Sequence, residues 1–254
     1  TTSSPTPPKY ENVIVLGQYQ VRYPLDIFTS IRGTVTLRFD NTTRLATDLT
    51  TLQIPSQNGQ RLGLKLEYVF DNTLDIALNI KNGTRYKIFG EMIKGFEVDF
   101  GENSSFSLND GFLTIVGGDF RHYQRFLKHS VIAARLAVAA SFGKEKILYQ
   151  LGGTDNWLFP KFNEEIPQPA RNSDFVYQSI ATNMRGFNLN IRNGNSYALI
   201  NTELRMPLFR YLFPRTKSSF FRNFQAIGFF DAGTAWQGLN PFNEESPLNT
   251  ATIS

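Results

Sequence analysis

Polar and apolar residues alternate with a period of two along most of this chain, the pattern of extended strands lying between two different environments. From residue 61, Leu62, Leu64, Leu66, Tyr68 and Phe70 hold one parity, and Arg61, Gly63, Lys65, Glu67, Val69 and Asp71 the other. From residue 85, Tyr86, Ile88, Met92, Phe96, Val98 and Phe100 oppose Arg85, Lys87, Glu91, Glu97 and Asp99, with Gly90 and Lys94 interrupting the apolar series. Ile31, Val35, Leu37 and Phe39 alternate with Arg32, Thr34, Thr36 and Arg38, and Ile132, Leu136, Val138 and Phe142 with Arg135 and Ser141. Ala198, Ile200, Leu204 and Met206 likewise oppose Asn201, Glu203 and Arg205. The pattern predicts eight strands, at 12–23, 30–42, 60–72, 84–100, 111–126, 130–143, 196–209 and 223–236. Several exceed the roughly five or six residues usual in soluble proteins. They reach the roughly 9–11 that a tilted transmembrane strand needs.

The connections alternate in length. Short ones are expected around 24–28, at Lys81-Asn82-Gly83 as an Asn-Gly hairpin, and at 127–129. Long ones fall at 43–60, 101–110 and 144–195. Short turns at one end and long loops at the other are the habit of outer-membrane barrels; the connection 210–222 is the exception, long where a short one is expected. A water-soluble β-sandwich also alternates. Strand length, loop alternation and the aromatic-rich apolar parity favour an all-β transmembrane antiparallel β-barrel, which leaves no unpaired edge in lipid.

Composition narrows the chemistry. The 254 residues contain no cysteine, which excludes disulfides, thiolate metal sites and a cysteine nucleophile. Two histidines, His122 and His129, argue against a multi-histidine metal centre. A formal charge of +4 without a basic cluster does not point to nucleic acid. The most apolar stretch, 131–142, is broken by Arg135 and falls short of the roughly 20 residues of a spanning helix. Residues 1–11 are a polar lead-in, Pro-rich at the start and without the apolar segment of a signal peptide. Glu91, Glu97 and Asp99 share one face, as polar strand positions do, and need no catalytic explanation. His122 falls on the apolar parity near a strand end. Trp236 and the tyrosines suit aromatic belts at a membrane boundary.

Three ordered segments narrow the class: Met184-Arg185-Gly186-Phe187 late in the longest loop, preceded by Leu151-Gly152-Gly153; Asn201-Thr202-Glu203-Leu204-Arg205-Met206-Pro207-Leu208; and Gly228-Phe229-Phe230-Asp231-Ala232-Gly233-Thr234-Ala235-Trp236. Together they resemble the C-terminal barrel of the outer-membrane assembly-factor superfamily, the bacterial surface-antigen family that includes Bam- and Tam-type insertases and two-partner translocators. The stretch 68–73 followed by Gly83 is similar to that family's upstream hairpin, and 119–123 to its next strand. The likeness covers most of 60–236.

The resemblance implies a sixteen-stranded barrel of which about eight strands are present here. Residues 12–236 would be a barrel segment with the inserted loop 144–195, and 237–254 an outer loop, with further strands and periplasmic domains lying outside this sequence. It implies that Arg185, at the tip carrying Gly186 and Phe187, meets Glu203 and Asp231 in the lumen. Parity independently places Glu203 with Asn201 and Arg205, and Asp231 opposite Phe230 and Ala232. The plainer reading leaves Arg185 in a solvated loop and the two acids as ordinary polar wall, with Asp71, Asp119, Arg121 and Arg135. The function implied is non-enzymatic and cofactor-free: insertion or translocation of other proteins at the bacterial cell outer membrane. The partners implied are the lipid bilayer, unfolded β-barrel or secreted clients and accessory lipoproteins, with no nucleic acid. Rival functions are a passive pore and a barrel that anchors an upstream enzyme.

Overall fold

The computed structural model describes residues 10–45, 57–99, 105–108, 111–154, 158–167, 175–181, 183–242 and 252–253. Its strands are β1 (Tyr10–Pro24), β2 (Thr29–Arg44), β3 (Gln57–Asp71), β4 (Leu74–Ala77), β5 (Ile80–Asp99), β6 (Ser105–Leu108), β7 (Leu113–Phe126) and β8 (Ser130–Gly143). They continue with β9 (Lys146–Leu151), β10 (Phe175–Ile180), β11 (Arg192–Gly194) and β12 (Ser196–Met206). Two five-residue helices follow, α1 (Leu208–Leu212) and α2 (Ser219–Asn223), then β13 (Ala226–Trp236) and β14 (Thr252–Ile253).

The protein is all-β, built on one large antiparallel sheet in the order β1-β2-β3-β5-β7-β8-β12-β13-β14, with β4 and β6 paired to β5. Seven of the eight links in this path join strands consecutive among the eight long ones, plus β14, so the topology is a meander whose registers follow from the alternation. Among the described residues β1 and β14 end the path without pairing to each other, so these strands do not close into a small barrel of their own. No helix among the described residues is long and apolar enough to cross a membrane, which says nothing of crossing by strands.

Register sorts the side chains onto two faces. Asn201 lies opposite both Asp231 and Arg135, Arg121 opposite Arg135, Lys87 opposite Asp119, Lys65 opposite Glu91, and Thr34 opposite Lys65. These residues share the polar face. The other face carries Val15, Tyr19, Val35, Leu64, Leu66, Ile88, Met92, Val116, Leu136 and Ile200 in the open; Leu66 is 67% and Leu64 56% exposed. Such a continuous apolar surface is far beyond the scattered exposed residues of ordinary proteins.

The polar face is covered in part by the long loop, where the sequence pattern had predicted no strands. Within it β9 pairs with β10 in parallel and with β11 antiparallel, forming a three-stranded sheet. Ile147 and Tyr149 of β9 pack on Leu113, Ile115 and Ala139 in one buried cluster. Leu151 and Met184 pack on Leu199 and Ala235 in another. Ser141 and Asn195 lock the base of the loop: Ser141 Oγ accepts from the Ile147 N–H at 2.9 Å, and Asn195 Nδ2 donates to the Ser141 carbonyl at 2.6 Å.

Two further expectations need correction. The hairpin turn is at Leu78-Asn79, not Lys81-Asn82-Gly83, which lies within β5. Asn79 takes the left-handed conformation itself (φ 57°), a turn residue that tolerates it. Gly83 (φ 119°) instead marks the bend where a side chain would strike the Asn72 carbonyl. Strands seven and eight are also shorter than predicted, because Pro207 cannot donate to a ladder and 208–223 turns into α1 and α2. Much of 43–60 and of 101–110 lies outside the described residues. The displaced hairpin has a consequence: Arg205 Nη1 donates to the Asn79 carbonyl at 2.9 Å and Gln225 Nε2 to that of Leu78 at 2.6 Å. Since β7 and β8 separate β5 from β12, this reach requires the polar face to be concave at the turn end.

The β1–β2 turn shows the local chemistry well. Asp26 Oδ1 accepts from the Phe28 N–H at 2.6 Å and the Thr29 N–H at 2.7 Å. Those bonds, Phe28 first, hold the Asp26 carboxyl below its ordinary range. The native carboxylate is thus favoured over the unfolded one, so its contribution is present above the ordinary aspartate value and is lost as pH falls through the lowered one. Amide exchange at Phe28 and Thr29, corrected for intrinsic rates, is expected to lose protection on acidification below that value; Asp26→Ala is expected to remove the protection at neutral pH and with it the pH dependence.

Candidate functional site

The loop tip is positioned by backbone bonds before any side chain acts. The Met184 N–H donates to the Gly153 carbonyl and the Gly153 N–H to that of Phe187, each at 2.9 Å. Met184 is fully buried against Leu151, Leu199 and Ala235, and Phe187 packs partly buried on the same cluster. Gly186 turns the chain in the left-handed region (φ 86°), which glycine adopts at little cost. Arg185, between the buried methionine and this turn, is thereby aimed at the sheet.

Its guanidinium meets both predicted acids. Nε donates to Asp231 Oδ2 at 2.9 Å and Nη2 to Oδ1 at 2.7 Å, a bidentate pair. The Arg185 backbone N–H adds a bond to Oδ2 at 2.9 Å, and Nη1 donates to Glu203 Oε1. Asn201 Nδ2 supplies Asp231 Oδ1 with another donor at 2.8 Å while also reaching the Asn183 carbonyl at 3.1 Å. Asp231, whose side chain is wholly buried, thus accepts four donors, about the capacity of a carboxylate. Glu203 is shared: Arg205 Nε reaches its Oε2 at 2.8 Å. The Arg185 guanidinium also lies 4.2 Å from the Phe229 ring centroid, a distance at which a cation is attracted to the ring face.

All five residues singled out from sequence, Arg185, Gly186, Phe187, Glu203 and Asp231, come together on the polar face. The alternation had not assigned roles to Asn201, Arg205 and Phe229. Parity carried the signal for Asn201 and Arg205, which share the odd positions of Glu203, whereas Phe229 faces the same way through its register opposite Glu203. The remaining wall charges pair among themselves. Asp119 accepts from Arg121 at 2.8 Å and Arg135 at 2.7 Å, and Asp40 takes Arg38 at 2.7 Å and Arg61 at 3.3 Å. Arg38 also sits 4.2 Å from the ring centroid of Tyr177, on β10, so the loop is held at a second point. His122 is on the apolar face, its Nδ1 within 2.9 Å of Thr84 Oγ1, away from these clusters.

A cavity lined by Arg121, Tyr123, Arg135, Asn183, Arg185 and Glu203 opens beside the loop tip. Its charged groups are largely committed to one another, so the arrangement holds a conformation. Among the described residues no group of three or more potential metal ligands is gathered. Comparison with known families finds no matching family model, and no curated protein matches significantly.

Proposed function

We propose that this chain is a segment of a transmembrane β-barrel of the outer-membrane assembly-factor type, and that it takes part in inserting or translocating other proteins without covalent chemistry. The observation that carries the reading is the clamp: a loop folded onto the polar face of an antiparallel sheet and fixed there by Arg185 on Asp231 and Glu203. The clamp motif is the one by which the sequence resembles that superfamily. The opposite face supports the reading from physics alone, because apolar side chains left in the open along whole strands need hydrocarbon or a large partner to cover them. In this reading the apolar face meets lipid, the polar face lines the lumen, and the two ends of the path, β1 and β14, adjoin further strands of the barrel. An open edge is also where an incoming strand is templated by backbone pairing. The test is reconstitution of the full-length protein in lipid vesicles with an unfolded outer-membrane barrel as client. Faster client folding than in empty vesicles supports the assembly reading. Unchanged folding together with steady ion conductance favours the passive pore and overturns it.

A further inference from the structure

The connection 207–225 is the one place where the chain departs from short turns at its end of the sheet. Its helices are five residues each, and neither buries a residue. Helices this short do not hold in water on propensity alone. The rings of Phe209, Phe213, Phe221 and Phe224 gather at 5.0–6.1 Å, yet Phe220 stays 71%, Leu212 65% and Phe213 59% exposed. Arg210, Arg215, Lys217 and Arg222 punctuate the segment, and it has no Asp or Glu. The segment is fixed in place: Arg210 Nε donates to the Arg222 carbonyl at 3.0 Å, and Tyr211 Oη accepts from the His129 N–H at 3.0 Å. Through that contact it continues into the β7–β8 turn, whose Phe126 and Leu127 are exposed and whose Arg125 and Lys128 add positive charge. Burial, then Arg210, Lys128 and Arg125 in that order, push the His129 imidazole below its ordinary value, as expected where cations converge. The acids of the other described turns at this end are engaged, Asp26 by backbone N–H groups and Asp75 by Lys81 at 2.7 Å.

We infer that 207–225, with the β7–β8 turn, is an interfacial pad that docks on the anionic phospholipid headgroups of the leaflet at the short-turn end, with Phe213 and Phe220 entering the acyl boundary. Aromatic rings and basic side chains on one polarised surface are the composition that binds such an interface, and the all-basic charge selects anionic over zwitterionic lipid. The inference rests on the membrane reading proposed above.

Because the chain has no cysteine, single labels report cleanly. Phe220→Cys and, separately, Leu66→Cys are introduced into the full-length protein, labelled with a polarity-sensitive fluorophore and reconstituted in phosphatidylcholine vesicles with or without phosphatidylglycerol. Quenching uses lipids spin-labelled at shallow or deep positions. The pad predicts shallow quenching at position 220 that rises with phosphatidylglycerol and loses that dependence when Arg210, Arg215, Lys217 and Arg222 are all changed to Gln. Deep quenching at position 66 with none at position 220 overturns the pad while leaving the barrel intact. Shallow quenching indifferent to lipid charge overturns the anionic selection, and a position-220 label shielded only in native membranes identifies a protein occupant instead. Absence of quenching at both positions removes the barrel reading and the pad with it.

Discussion

Arg185→Ala is expected to release the loop tip from the sheet, whereas Lys161→Ala in the same loop is expected to leave it in place. The difference lies in what each substitution strands. Lys161 is exposed and contributes its backbone, accepting the Leu189 N–H at 2.9 Å, so its loss falls within the roughly 0.5 kcal/mol of a neutral surface change. Removing the Arg185 side chain takes two of four donors from Asp231, whose side chain is wholly buried, and one from Glu203. Breaking a buried pair by deleting one partner costs roughly 3–5 kcal/mol; the partial exposure of Arg185 and Glu203, 23% and 20%, puts this site toward the lower end. The loss is local, since Met184 and Phe187 remain packed on Leu199 and Ala235, and so the readout is limited proteolysis and hydrogen exchange over 183–190, with the activity of the full-length protein alongside. Arg185→Lys is expected to rescue poorly, because an ammonium cannot make the bidentate contact while also reaching Glu203. Equal protease sensitivity of the two alanine variants would overturn the clamp.

What the sequence disclosed, and what it hid, follows from where the alternation is physically enforced. The eight long strands were legible because each separates a polar face from an apolar one, so period two persists along them even where Gly90 and Lys94 interrupt it. In β9 the residues Ile147 to Leu151 are all buried, Tyr149 on the sheet and its neighbours on the other side; a strand enclosed on both faces shows no alternation. The hairpin at Leu78-Asn79 was masked by the stronger Asn82-Gly83 signal, and Gly83 turned out to serve a bend. Helices α1 and α2 lie mostly in the expected connection 210–222, and only Leu208, Phe209 and Asn223 were read as strand ends, because five-residue helices are too short to show a helical period. The pairing in the clamp was implied by the resemblance, while parity by itself placed Glu203 and Asp231 on the polar face among other charges and gave Arg185, in a loop, no position. Phe229 was not, because one more phenylalanine among 23 carries no signal until the register is known.

Leu66→Lys is the substitution with the largest effect expected on the sheet itself. Leu66 sits on β3, inside the sheet between β2 and β5, opposite Gly33 on one side and Gly90 on the other, so little flanks it but solvent or whatever replaces solvent. In water a lysine at a position 67% exposed changes stability by no more than about 0.5 kcal/mol. Facing the middle of a bilayer, it costs roughly 2–4 kcal/mol. Gln18→Lys is the control, exposed on the polar face of β1 with its amide donating to Thr36 Oγ1 at 3.2 Å; an added cation there meets water under either reading. Reversible urea unfolding of the full-length protein in lipid vesicles is therefore expected to show a large loss for Leu66→Lys and almost none for Gln18→Lys. A second layer of protein packed on the apolar face would also penalise Leu66→Lys, but that protein would then be monodisperse in buffer without detergent. A monodisperse lipid-free protein, or a Leu66→Lys variant as stable as the Gln18→Lys one, would place the apolar face against something other than hydrocarbon.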